Sequence, residues 1–194
     1  MIYLTPSHLL EYLYCPRFTY FEYVLGIPER QEKRFKVIKG RELHEHRRKI
    51  NPKYLRKKLG VIKKEQDVEL NSANLQIRGI VDEILWLEDE TLAPFDYKYA
   101  EYKNRLWKTT KVQATIYAMM IQELYDLPVL RAYICFIRSK YKIVEIVFNE
   151  KDFIKAKQYI KECFEVIISG YYPNPTNIKK RCNDCTYRNI CICS

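Results

Sequence analysis

The chain has 194 residues, 34 Lys and Arg against 24 Asp and Glu, a formal charge of +10, and is 47% hydrophobic and 14% aromatic. That length suits a single domain with its own core, and the apolar content excludes a chain too polar to collapse. No window approaches the roughly 20 apolar residues of a membrane-spanning helix, and the opening Met1 to Glu11 lacks the basic and apolar stretches of a secretion signal, so a cytoplasmic protein without membrane contact is expected.

In chain order, residues 7 to 25 read as a helix with Ser7 as N-cap, interrupted at Pro16. Residues 39 to 50 read as a second helix, and 53 to 59 as a short basic one between Pro52 and Gly60. The period then changes from helical to alternating. Residues 65–70, 75–87 and 92–98 are strand-like, with Asn71, Ser72 and Asn74 marking one turn and Glu88 to Glu90 another. A helix is expected over 109–125, strands over 130–138 and 142–148, and a helix over 152–169. A Pro-containing segment from Tyr171 to Lys180 then leads to a cysteine-rich end. Helices, strands, helix, strands, helix describe an α/β or α+β domain with a central mixed sheet.

The positive charge is concentrated. Between Arg30 and Lys64 stand fifteen Lys or Arg and three acids, so the rest of the chain is slightly acidic. Such a block suits a polyanion, with a solvated helix face as the plainer alternative.

Two strands carry carboxylates in apolar surroundings. Period-two alternation puts Asp82 with Ile80, Ile84 and Trp86, and puts Asp96 with Lys98, opposite Phe95 and Tyr97. A carboxylate among buried side chains is costly unless paired or ligating. An isolated Asp-x-Lys is most simply a salt bridge at a strand end. A carboxylate one hairpin earlier, and His44 four residues after Gly40, make a metal site the sharper reading. One imidazole and two carboxylates suit Mg²⁺ or Mn²⁺, and Lys98 would orient a water or stabilise charge on a phosphodiester. Gln113 and Tyr117 share a helix face downstream, Gln113 as a polar residue among Val112, Ala114 and Ile116.

Of seven cysteines, Cys135 and Cys163 lie in an apolar strand and a helix and read as buried hydrophobes. Cys182-x2-Cys185-x5-Cys191 reads as a metal-binding knuckle. Its fourth ligand is either Cys193, which makes a local zinc-type site, or Cys15, which ties the N-terminal helix to the C-terminus. A thiolate quartet of the latter kind suits zinc or an iron–sulfur cluster.

In order and spacing, Tyr12-Leu-Tyr-Cys15-Pro-Arg17, Gly40-x3-His44, Gly79-x2-Asp82, Asp96-Tyr97-Lys98, Gln113-x3-Tyr117 and the C-terminal cysteines resemble the CRISPR-associated RecB-like exonucleases, the Cas-four family. The resemblance runs from about Ser7 to Cys191. It implies a PD-(D/E)xK nuclease core, in which a central mixed sheet is flanked by helices and the terminal segments join at a 4Fe-4S cluster. By position, it makes His44, Asp82, Asp96 and the backbone carbonyl of Tyr97 ligands for Mn²⁺ or Mg²⁺, Lys98 the catalytic lysine, and Gln113 and Tyr117 the QxxxY motif. Cys15, Cys182, Cys185 and Cys191 become the cluster ligands, leaving Cys193 without a place.

What the resemblance implies for activity is a metal-dependent deoxyribonuclease acting on single-stranded DNA or overhangs. It would be exonucleolytic and in some members endonucleolytic, trimming spacer precursors in CRISPR adaptation beside the CRISPR integrase complex. The expected organisation is one domain over 1–194, with 1–26 and 171–194 forming the cluster-binding part and 30–64 a basic DNA-binding segment. The alternatives are an iron–sulfur RecB-type repair nuclease and a non-catalytic zinc and nucleic-acid-binding module.

Overall fold

The computed structural model describes residues 2–29, 55–183 and 185–192. His44, the helix expected over 39–50, most of the basic segment and Cys193 lie outside the described residues.

Helix α1 spans Pro6–Tyr14. Its N-cap is Thr5 rather than Ser7: the Thr5 hydroxyl accepts from His8 N at 3.3 Å, and His8 Nδ1 accepts from Thr5 N at 3.1 Å. Proline at the first helical position explains the earlier start, because an amide hydrogen there would have no helical partner. The helix ends where Pro16 forces the preceding residue out of the helical region, and Cys15 is extended at φ −161° and ψ 122°. A short α2, Arg17–Thr19, runs on into a π-helical turn, Tyr20–Val24.

A 3₁₀ turn, Lys57–Leu59, ends at Gly60, whose φ of +69° reverses the chain into β1, Val61–Ser72. The strand therefore begins before the expected Glu65. Asn71 and Ser72 belong to it rather than to the turn, which falls just beyond, where Ser72 Oγ accepts from Leu75 N at 3.0 Å and Gln76 takes a positive φ. β2, Ile77–Leu87, and β3, Leu92–Lys98, follow. Then come α3, Lys108–Tyr125, β4, Arg131–Phe136, and β5, Lys142–Val147. Helix α4, Glu150–Ser169, is capped by Asn149 with Asp152 as its reciprocal partner and stops at Gly170, and α5 is the short Lys180–Asn183.

The sheet order is β1-β2-β3-β4-β5. Only β3 and β4 among these neighbours are parallel, the other three pairs being antiparallel. A parallel pair needs a crossover, and α3 supplies it. Because it bridges strands at the centre of the sheet, α3 is buried continuously from Val112 to Ile121. One face of the sheet packs Ile77, Ile84 and Leu92 against α1, α3 and α4. The other gathers Val61, Leu85, Phe95, Tyr133 and Cys135 under Leu55 and Leu59. The result is an α/β core with a central mixed sheet flanked by helices. No helix among the described residues is long and apolar enough to cross a membrane.

Candidate active site

The antiparallel register sets Glu83 opposite Phe95 at the last pair of the ladder, and Asp82 and Asp96 are the residues next to that pair on β2 and β3. The end of that ladder brings two carboxylates from different strands into the neighbourhood of Tyr117. The Tyr97 backbone N–H donates to Asp82 Oδ2 at 2.8 Å. Lys98 Nζ lies 2.7 Å from Asp96 Oδ2 and donates to Gln113 Oε1 at 2.6 Å. Gln113, buried on α3, thus finds the partner that a buried amide requires, and it is the lysine's.

One turn along α3, the Tyr117 hydroxyl donates to the Ile80 carbonyl at 2.9 Å. Burial, then the charges of Asp96 and Asp82, push the Tyr117 phenol upward, so it stays a neutral donor. The close approach is possible at Gly79, where a Cβ would stand 3.0 Å from the Pro6 ring and 3.7 Å from Tyr117. Ile80 is half exposed, so the surroundings of Asp82 are more open than alternation with Ile84 and Trp86 suggests. Asp82, Asp96, Lys98, Gln113 and Tyr117 therefore come together.

Behind the site, on the opposite sheet face, lies an ion network that sequence reading missed. Glu83 follows Asp82, and Tyr97 sits between Asp96 and Lys98, so both side chains project backwards. Arg56 donates to both Glu83 oxygens and to the Tyr97 hydroxyl, the Tyr97 hydroxyl donates to Glu83 Oε1 at 2.9 Å, and Lys64 Nζ lies 3.7 Å from the same oxygen. The Arg56 guanidinium also covers the Phe95 ring at 3.7 Å. Arg56 and Lys64, read from sequence as part of a DNA-facing block, are structural cations; Lys57 and Lys58 remain exposed.

The chain ends meet elsewhere. Phe18, Phe21 and Tyr187 form an aromatic core with Cys15, flanked by Cys185 and Cys191. Cys15, Cys182, Cys185 and Cys191 line one small, partly open chamber together with Arg17, Arg181 and Arg188. Burial, then neighbouring thiols led by Cys15, push the Cys185 thiol upward. Arg181 ties the rim by donating to the Leu13 and Tyr14 carbonyls at 3.1 and 2.6 Å, and Tyr14 OH returns a bond to the Arg181 carbonyl at 2.8 Å. Cys135 and Cys163 are buried away in β4 and α4, as hydrophobes should be.

A further group, also missed, joins His8 and Glu11 of α1 to Glu22 of the π-helical turn, with one ligand atom of each within 4.8 Å of the others. Such a set can hold a metal ion in general terms. His8 Nδ1 is already engaged by Thr5 N and the Tyr23 hydroxyl, and burial, then Arg78, keep the imidazole neutral. The sequence signal was the His8-x-x-Glu11 spacing on one helix face.

The site thus consists of a carboxylate on one strand, an Asp-x-Lys on its neighbour and a helix whose Gln holds the lysine. The sequence pattern of the PD-(D/E)XK nuclease superfamily matches residues 39–192, and the chain belongs to that superfamily.

More particularly, it is related at low identity to CRISPR-associated exonucleases Cas4. It is 30% identical to that of Thermoproteus tenax over 97% of this chain and 93% of the relative, and 24% identical to that of Francisella tularensis subsp. novicida over 96% and 92%. Among solved structures, SSO0001 superposes with a TM-score of 0.63 at 18% identity, covering 97% of this chain and 85% of the other. A Eubacterium rectale protein named as a candidate exonuclease superposes at 0.61 and 13%, covering 97% and 87%. These two share the fold. Fold and homology together support catalytic nuclease activity and DNA binding in general.

Proposed function

We propose that this protein is a metal-dependent deoxyribonuclease acting on single-stranded DNA or overhangs, and that it processes DNA fragments for CRISPR adaptation beside an integrase complex. The observation that carries the nuclease reading is Asp96 paired with a lysine that Gln113 holds, beside Asp82, whose carboxylate accepts from the Tyr97 backbone amide. Two carboxylates against one ammonium leave a local negative balance, which a hard divalent cation would complement. Asp82 and Asp96 are the residues to hold Mn²⁺ or Mg²⁺, with His44 and the Tyr97 carbonyl as the further ligands that the family resemblance implies. When bound, such an ion lowers the pKa of a coordinated water and neutralises phosphate charge.

The chain's own residues do the rest. Tyr97 N–H fixes the Asp82 carboxylate, and the Gln113 amide and Asp96 hold the Lys98 ammonium where it can bind a phosphate oxygen and stabilise charge developing there. Neutral Tyr117 anchors β2 through Ile80 without adding negative charge. The test is cleavage of 5′- and 3′-labelled single strands with Mn²⁺ by the native protein and by Asp96→Ala and Lys98→Ala. Loss in both variants with an unchanged fold is expected; cleavage at the native rate in either overturns the assignment.

The cysteine chamber supports a 4Fe-4S centre held by Cys15, Cys182, Cys185 and Cys191. Zinc–sulfur bonds near 2.3 Å would bring four thiolates to roughly 3.8 Å apart. Metal analysis separates the readings: about four irons per chain with broad visible absorption fits the cluster, and colourless protein with one zinc fits a knuckle.

A further inference from the structure

Arg17 occupies an unusual electrostatic position. It is 7% exposed, yet among the described residues no carboxylate pairs with it. Its Nε donates to the Pro173 carbonyl at 2.9 Å, and its Nη1 donates to Cys191 Sγ at 3.3 Å and to the Ile192 carbonyl. The guanidinium lies 4.2 Å over the Tyr172 ring, whose hydroxyl is 3.6 Å from the same sulfur. Among the described residues, the titratable groups acting most on its charge are Cys191, Tyr172 and Cys15.

A buried cation without an anion is strongly unfavourable, and an Arg cannot escape by losing its proton. Among the described residues, the groups placed to balance it are the thiols of the chamber. The described lining holds no Asp or Glu, but four cysteines and three arginines. Arg188 is exposed and Arg181 partly so, but neutral thiols would leave the buried Arg17 charge without an anion among the described residues. Four thiolates around a divalent ion, or around an oxidised iron–sulfur cubane, retain net negative charge and would complete the balance. A hydrogen bond from Arg17 to one of those sulfurs also fixes its direction, as an outer partner does for a metal ligand.

We propose that Arg17 is the counter-charge of an anionic metal–thiolate centre at Cys15, Cys182, Cys185 and Cys191, and that it positions Cys191 as a ligand by clamping the segment from Cys191 to Ile192 onto α2. The inference rests on the reading of the chamber as a metal–thiolate centre, iron–sulfur or zinc. Arg17 is a positioning residue, remote from the Asp-x-Lys chemistry. The planar fork matters as much as the charge, since one guanidinium reaches Pro173, Cys191 and Ile192 together, whereas a lysine ammonium would keep the charge and lose part of the reach.

The test compares the anaerobically purified native protein with Arg17→Met and Arg17→Lys. Metal content and visible absorption are measured first, then the rate of metal release to an iron or zinc chelator, then the melting temperature. The Met variant is expected to release metal roughly tenfold faster, with a shifted visible band and a lower melting temperature, and the Lys variant to fall between. The sign of the stability change is decisive. If the thiols were neutral, removing an uncompensated buried charge would raise the melting temperature.

Release at the native rate, together with an equal or higher melting temperature in Arg17→Met, overturns the proposal. Should that variant fail to fold, Arg17→Lys decides alone: release at the native rate overturns the positioning role, and faster release sustains it. A native protein holding neither iron nor zinc at its cysteines refutes the metal–thiolate reading itself, whatever Arg17 does.

Discussion

Glu83 is the most consequential side chain behind the candidate site, and removing it gives a quantitative test of the ion network. Its side chain is 3% exposed, that of Arg56 is 9% and that of Lys64 5%. Glu83→Leu would leave Arg56 and Lys64 buried without their carboxylate. Breaking a buried pair by deleting one partner costs about 3–5 kcal/mol, most of it the uncompensated charge rather than the lost attraction. Against a domain stability of about 5–15 kcal/mol, that is a large fraction.

Equilibrium unfolding in urea at neutral pH, followed by circular dichroism, should show a lower midpoint with an unchanged slope. The double variant Arg56→Met, Glu83→Leu should recover much of the loss, because Met can lie on the Phe95 ring that the guanidinium now covers at 3.7 Å. Non-additivity is therefore expected, with a coupling of roughly 0.5–3 kcal/mol. A Glu83→Leu protein within about 0.5 kcal/mol of the native chain, or strictly additive single and double changes, would refute the reasoning.

Gln113→Ala removes the amide that accepts from Lys98 at 2.6 Å and should slow cleavage towards about 10²-fold in a protein that still folds, read by single-turnover assay. Tyr117→Phe loses the 2.9 Å bond to the Ile80 carbonyl and should cost about 1 kcal/mol in urea unfolding. Neutralising exposed Lys57 and Lys58 should flatten the slope of log affinity against log salt for single-stranded DNA by about 1.4; an unchanged slope would remove them from the DNA path.

Burial, then Glu22 and Glu29, push the Glu11 carboxyl up to about 8 from 4.5, so the folded state holds its proton more tightly than the unfolded chain. The contribution is fully present below the unfolded value and is lost as pH rises through about 8. Glu11→Gln should flatten the fall in melting temperature between mildly acidic and alkaline buffer and stabilise the protein at the alkaline end.

Which of these residues could be read beforehand follows from the range of the interactions. Period-two alternation identified the strands of Asp82 and Asp96, and the Asp96-x-Lys98 spacing is local, so those residues were legible. Their adjacency was not, because it depends on the register that places Glu83 opposite Phe95. Boundaries moved where one backbone requirement outweighed periodicity: Thr5 displaced Ser7 as cap because Pro6 has no amide hydrogen to satisfy, and Gly60 let β1 begin early.

Charge was the least transparent property. A sum over residues 30–64 assigns every cation to the outside, whereas Arg56 and Lys64 turn inward to Glu83, an acid on another strand that no local window connects to them. Arg17 shows the same limit over 174 positions, its guanidinium reaching Cys191 at the far end of the chain. Both arginines are buried, but the compensation differs: Arg56 has a carboxylate in view, while the described surroundings of Arg17 offer sulfur, carbonyls and a ring. Enclosing a permanent cation is costly unless a negative charge stands near it. At Arg56 that anion is encoded by a residue; at Arg17, under the proposal above, it is supplied by thiolates of a metal centre, which is why the sign of the Arg17→Met effect tests that proposal.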